Sequence, residues 1–175
     1  GDVDPERVQD LHRNYFPRTI AKLVADGHLD ERLGRDFDLE TLAAALDPTR
    51  DDLIGFMGVR TMINRYLLRT PDKQALEVPQ YFWMRVAMGL SLTEDDPTSS
   101  ALALYDSMSN LRHLAAGSTL VNAGTPSAQL SNCFVMRTED NLEHIAQTIR
   151  DVMRITKATG GIGLSMSDLR CEGSP

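Results

Sequence analysis

Two β-suited stretches, Gln129-Leu130-Ser131-Asn132-Cys133-Phe134-Val135-Met136 and Ile162-Gly163-Leu164, flank a segment of helical periodicity, and this pattern restricts the fold more than any other in the chain. Between them Leu142, Ile145, Ala146, Ile149, Val152, Met153 and Thr156 fall on one face of a helix that runs to Lys157. Asp140-Asn141-Leu142-Glu143 supplies its start, with Asp140 as the cap and Glu143 three residues on, together answering free N–H groups of the first turn. Strand, helix and strand over this length form a βαβ unit with parallel strands and a right-handed crossover. Its polar chemistry is expected at one end. Thr159-Gly160-Gly161-Ile162-Gly163 leads into the second strand. Its glycines either end the helix and open the strand, or let the backbone approach a phosphate or a base where no Cβ intervenes. A dinucleotide fingerprint runs the other way, from strand into helix, and no Gly-Lys-Ser/Thr follows, so neither a Rossmann site nor a P-loop is expected.

The preceding chain is helical in pattern. Val8, Leu11, Tyr15, Ile20, Leu23 and Val24 share helical spacing interrupted at Pro17, which predicts two short helices or one kinked helix over residues 5–27. Residues 38–46 read as a helix capped by Asp38 and stopped before Pro48. From Pro79 to Leu92 apolar residues occupy nearly every face, the pattern of a helix buried among several neighbours. Residues 97–114 form a further helix. After Gly117 short β-suited runs begin, Leu120-Val121 being the first. The expected organisation is a helical domain over residues 1–114 and an α/β region over residues 115–175.

Composition removes several function classes. The 175 residues carry 25 acidic against 18 basic side chains, a net charge of −7, with no block of like charge. That balance offers no electrostatic footprint for nucleic acid or an anionic membrane. No apolar run approaches the roughly 20 residues a spanning helix needs, and Gly1-Asp2-Val3-Asp4-Pro5 is too acidic for a secretory signal, so a cytoplasmic location is expected. Two cysteines, Cys133 and Cys171, make no disulfide framework. On its own residues Cys133 reads either as a small buried hydrophobe in a strand or as a reactive thiol. Cys171 lies in a polar turn beside Arg170. His12, His28, His113 and His144 are scattered without metal-ligand spacing, and no Ser/His/Asp set or carboxylate pair can be assembled.

Five ordered elements carry a family resemblance. They are Gly58-Val59-Arg60-Thr61 with Asn64-Arg65-Tyr66-Leu67; Glu77-Val78-Pro79-Gln80-Tyr81-Phe82-Trp83-Met84-Arg85-Val86-Ala87; Asn122-Ala123-Gly124-Thr125-Pro126 with Gln129-Leu130-Ser131-Asn132-Cys133-Phe134; Gly160-Gly161-Ile162-Gly163; and Leu169-Arg170 with Gly173-Ser174-Pro175. Over residues 50–175 the chain resembles the large, catalytic subunit of ribonucleotide reductases; residues 1–49 are similar only loosely.

The resemblance implies a helical N-terminal domain followed by the opening βαβ strands of a ten-stranded α/β barrel, incomplete in this chain. It implies thiyl-radical chemistry on a ribonucleotide, with a cysteine pair supplying the electrons that replace the 2′-hydroxyl, for DNA synthesis. Cys133 corresponds to the first of that pair. Ser118 corresponds to a substrate phosphate contact, Asn132 to a substrate contact, and Gly160 and Gly161 to backbone that approaches the nucleotide. Asp140, Asn141 and Leu142 correspond to a segment that holds a specificity effector, a deoxynucleoside triphosphate or ATP, at a dimer interface, and Arg170 opens the loop that closes on it. Asn132 stands where Ser is common and Thr119 where Pro is common. Cys171 replaces a small residue. The implied partners are the C-terminal remainder of the subunit, a metal-containing, radical-generating small subunit, a thioredoxin- or glutaredoxin-like reductant and a second copy. No cofactor is expected in these residues themselves. The chain is expected to be an N-terminal portion unable to complete the chemistry alone. The Gln80-Tyr81-Phe82-Trp83-Met84-Arg85 stretch resembles the class I, diphosphate-using reductases; an adenosylcobalamin-dependent reductase, a nucleotide-binding or assembly module, and a helical scaffold are the alternatives.

Overall fold

The computed structural model describes residues 4–158 and 160–174, and divides into two compact units after Ala128. Expectations at Gly1-Asp2-Val3, Thr159 and Pro175 lie outside the described residues.

The first unit is helical. Helix α1 (Pro5–Ala25) is continuous through Pro17, and Asp4 caps it by accepting from the Glu6 N–H at 3.0 Å. Short helices α2 (Arg32–Arg35) and α3 (Leu39–Ala45) follow, α3 capped by Asp38, and a 3₁₀ turn spans Pro48–Leu53. Helix α4 (Phe56–Arg65) precedes the central α5 (Pro79–Leu90) and α6 (Pro97–Ser109). Phe82, Met84, Val86, Ala87 and Met88 of α5 are fully buried, and Phe16, Ile20, Leu33, Leu42 and Met108 from α1, α2, α3 and α6 complete the core. The all-round apolar pattern of α5 is explained by this position.

Helix α6 ends at Ser109 instead of continuing to residue 114, because Leu111 adopts a left-handed backbone (φ 56°) and the Arg112 N–H turns back to the Ser107 carbonyl at 3.0 Å. Leu120-Val121, expected as a β-suited run, lies in helix α7 (Gly117–Asn122). The cause is distant in sequence. Arg85 of α5 donates to the carbonyls of Leu120 at 3.1 Å and Ala123 at 2.6 Å, satisfying acceptors that the end of a short helix leaves unpaired. Its Nε and Nη2 grip Glu77 at 3.0 Å each, and Glu77 also accepts from the Leu68 N–H at 2.8 Å. Both side chains are about 1% exposed, so the pair is fully withdrawn from water. A Cβ on Gly89 would stand 2.1 Å from the Gly124 nitrogen, so the backbone of α5 touches the segment after α7 directly. These contacts hold residues 117–124 in the helical unit, and the compact boundary falls at Ala128, beyond the change of texture near residue 115.

The second unit is a βαβ element. Strands β1 (Cys133–Arg137) and β2 (Gly161–Ser165) pair in parallel with Cys133 opposite Gly161 and Arg137 opposite Ser165, and α8 (Leu142–Lys157) connects them. Gly160 ends the helix, its N–H bonding the Ile155 carbonyl at 3.0 Å, and a Cβ there would meet Ile155 Cγ2 at 2.5 Å and Phe134 Cε2 at 2.8 Å. Close packing of helix end on strand therefore explains this glycine.

Candidate functional site

The expectation of polar chemistry at one end of the βαβ element requires correction, since the predicted residues form two groups at opposite ends of the strands. Five-residue strands separate these groups by about 13 Å.

Asn132, Cys133, Gly160 and Gly161 gather where the strands begin. The Asn132 carbonyl accepts from the Gly161 N–H at 2.7 Å, which fixes the start of the ladder. Cys133 is a free thiol and is exposed within this unit, as is Val135 on the same face of β1, so its exposure does not choose between its two sequence readings. Cys171 is also free and exposed, with Sγ 3.2 Å from Ser174 Oγ. Ser118 belongs to the helical unit, where it is buried on α7.

Asp140, Asn141, Leu142 and Arg170 gather beyond the strand ends. Here the structure changes the assignment of the helix cap. Asn141, not Asp140, caps α8, its Oδ1 accepting from the His144 N–H at 2.7 Å. His144 Nδ1 in turn accepts from the Glu139 N–H at 3.1 Å, so the ring is held with its other nitrogen protonated when neutral. Asp140 faces Arg170 instead, and one carboxylate oxygen accepts from Arg170 Nε at 2.7 Å and from the Arg170 N–H at 3.3 Å. Leu142 is 76% exposed.

Sequence reasoning missed a second cross-link at this end. Arg137, the last residue of β1, pairs through Nε with Asp168 on the loop after β2. The hydrogen bond to Arg137 holds the Asp168 carboxyl below its ordinary range, and the same bond raises Arg137. Opposite charges at the end of β1 and just past the end of β2 were the available sequence signal.

Other features carry less chemistry. Among the described residues no group of three His, Cys, Asp or Glu side chains is placed to hold a metal ion, and no helix is long and apolar enough to cross a membrane. A hollow of about 550 Å³ in the helical unit is lined by Ile54, Met57, Met62, Trp83, Leu114 and Leu120 among others, and contains none of the predicted residues. Buried polar groups cluster elsewhere in that unit, where Tyr105 accepts from the Asp47 N–H at 2.8 Å and donates to Gln80, which reaches Asp51. Burial pushes the Asp51 carboxyl up and the His12 imidazole down.

Comparison with known proteins places both units. Residues 52–128 match the family described as ribonucleotide reductase, all-alpha domain, and residues 131–175 match ribonucleotide reductase, barrel domain. The chain is 39% identical over 170 residues to the ribonucleoside-diphosphate reductase subunit alpha of Chlamydia trachomatis, covering 97% of this chain and 16% of that protein. It is 37% identical over 162 residues to the subunit alpha of Helicobacter pylori, covering 93% of this chain and 20% of that protein. With the ribonucleoside-diphosphate reductase large chain of Schizosaccharomyces pombe it shares 36% identity over 170 residues, covering 95% and 20% respectively. The chain thus spans 16–20% of the length of these relatives. Two consecutive domain matches in the order of the two compact units, with relatives of one name over nearly every residue, make this chain a member of the ribonucleotide reductase large-subunit family.

Proposed function

We propose that this chain contributes the helical domain and the first barrel strands of a catalytic subunit that reduces ribonucleoside diphosphates to deoxyribonucleotides, and that Cys133 is one thiol of its reducing pair. The single observation that carries the reading is the match of residues 131–175 to the ribonucleotide reductase barrel domain, within which Cys133 is a free thiol at the head of β1. Chemistry of this kind needs a thiol that a substrate and a second thiol can both reach.

The electron balance assigns its role. Two thiols become one disulfide, giving up two electrons and two protons; the ribose 2′-hydroxyl leaves as water and hydrogen takes its place on carbon. The disulfide must then be reduced by an external dithiol for the next turnover. The initiating radical belongs to a partner subunit, and Cys133 enters only at the reduction step. Asn132, beside it, offers an amide that can donate to and accept from ribose hydroxyls. Gly161, exposed at the head of β2, keeps the backbone there free of a side chain, Gly160 contributes backbone while its Cβ direction is filled by Ile155 and Phe134, and Ser118 supplies a hydroxyl for a substrate phosphate.

The group beyond the strand ends serves regulation in the same proposal. Asp140 accepts from a sugar hydroxyl and Arg170 binds phosphate of a deoxynucleoside triphosphate or ATP, with Asn141 and Leu142 shaping the turn between them. The planar guanidinium suits a phosphate. A homodimer, a radical-generating small subunit and a thioredoxin- or glutaredoxin-like reductant complete the assembly.

The test is Cys133→Ser in the full-length catalytic subunit. The variant should bind nucleotide with near-parental affinity yet fail to turn over repeatedly, because a hydroxyl cannot form the disulfide. Repeated turnover by the Ser variant at the parental rate would refute the assignment.

A further inference from the structure

The loop that follows β2 is anchored to the β1–α8 connection by two ion pairs of opposite polarity. At the first, the cation is on the strand side, with Arg137 bonded to Asp168. At the second it is on the loop side, with Arg170 bonded to Asp140 at 2.7 Å. Backbone contacts bring the partners into range. Arg137 is held opposite Ser165 by the ladder, the Thr138 N–H extends that ladder to the Ser165 carbonyl at 3.0 Å, and a turn closed from the Leu169 N–H to the Met166 carbonyl at 3.1 Å brings Asp168 back toward β1.

The Arg137 side chain is 72% exposed, and a pair so open to water adds little to folding. Its effect is geometric. Asp168 and Arg170 are two residues apart on one short loop, so fixing the first restricts where the second can reach.

We propose that Arg137 and Asp168 are positioning residues for the effector site, their ion pair setting the post-β2 loop in the register that brings the Arg170 guanidinium to Asp140. The inference rests on the effector reading of Asp140 and Arg170 given above. An incoming triphosphate then meets a guanidinium already held at the turn before α8, and the entropy of ordering the loop is not charged to binding.

The test measures dTTP binding to the full-length catalytic subunit by calorimetry, for Arg137→Ala, Asp168→Ala and the exchanged pair Arg137→Asp/Asp168→Arg. Each single change should raise Kd about two- to fivefold, the range a solvent-exposed pair controls, and the exchange should return it to within about twofold of the parent. Melting temperature and the effector-free KM for substrate should stay at parental values, which a merely structural role would not predict. Hydrogen exchange at the Arg170 amide should quicken in both single variants and slow again in the exchange. Unchanged Kd in the single variants, with Asp140→Asn and Arg170→Ala still weakening dTTP binding, overturns the positioning role and leaves the effector site standing. Weakened single variants that the exchange fails to rescue also overturn it. If Asp140→Asn and Arg170→Ala themselves leave dTTP binding unchanged, the effector reading falls and this inference with it.

Discussion

Replacing Arg85 by Met tests the account of the helical unit most severely, because one side chain is assigned several separate tasks. It neutralises Glu77, which is about 1% exposed, and it satisfies the carbonyls of Leu120 at 3.1 Å and Ala123 at 2.6 Å. Methionine fills a similar volume without supplying a donor. Removing one partner of a buried pair costs about 3–5 kcal/mol, since the remaining carboxylate stays in low dielectric with the Leu68 N–H as its other partner among the described residues. Two orphaned carbonyls add about 1 kcal/mol or more each if water does not reach them. The total is on the order of 5 kcal/mol, a large share of a typical domain's stability. Glu77→Gln should cost less, about 3 kcal/mol, because it leaves the Arg85 guanidinium without a counter-charge but keeps an amide oxygen for Leu68 or Arg85 and the carbonyl acceptors of Leu120 and Ala123. Urea unfolding followed by far-ultraviolet circular dichroism gives both values, and hydrogen exchange should show early loss of protection at Leu120 and Ala123 in the Arg85 variant. An Arg85→Met protein within about 1 kcal/mol of the parent, with α7 still protected, would refute the assignment of that guanidinium as the clamp on residues 117–124.

Three further outcomes are expected. Gly160→Ala should destabilise the βαβ element by about 1–3 kcal/mol in urea titration, since the new Cβ would start 2.5 Å from Ile155 and 2.8 Å from Phe134; a neutral result would contradict the close packing. Asn141→Ala should cost about 1 kcal/mol of α8 stability by loss of its cap, whereas Asp140→Asn should change helix stability little, and the reverse order in thermal melts would restore Asp140 as the cap. By carboxyl NMR titration, Asp30 should titrate at about 2, held down by its Arg32 hydrogen bonds, and Asp51 above its ordinary value, raised by burial. Linkage gives the two opposite signs: Asp30 contributes stability above pH 3.8 that is lost as pH falls through about 2, whereas Asp51 opposes folding increasingly as pH rises from 3.8 through its raised value. Coincident midpoints for the two carboxyls would contradict this reading.

Local signals in the sequence identified most of the elements and fewer of the contacts. Helices α3 and α5 and the βαβ order were readable because caps, proline positions and apolar periodicity act within a few residues. Helix α7 was not, since Leu120-Val121 has β-suited chemistry and becomes helical under a guanidinium 35 residues earlier in the chain. The same cause misplaced the α8 cap. Asp140 and Asn141 are equally good caps by type, and Arg170, 30 residues on, removes Asp140 from the competition. Gly160 was readable as a helix end, while its contact with Phe134 required the folded backbone. For the candidate site, residue types and order pointed to the relevant segments, but their separation to opposite strand ends and the Arg137–Asp168 pair depend on parallel register, which no local pattern encodes.

The central claim is that Cys133 is a reducing thiol, and the most direct measurement is the disulfide state of the full-length catalytic subunit after a single turnover without external reductant. Peptide mapping by mass spectrometry should find Cys133 joined to a cysteine outside these 175 residues, in an amount equal to the deoxyribonucleotide formed, with Cys171 still alkylatable. A Cys133 that stays reduced while product forms, or one joined to Cys171 as the turnover product, would contradict the account.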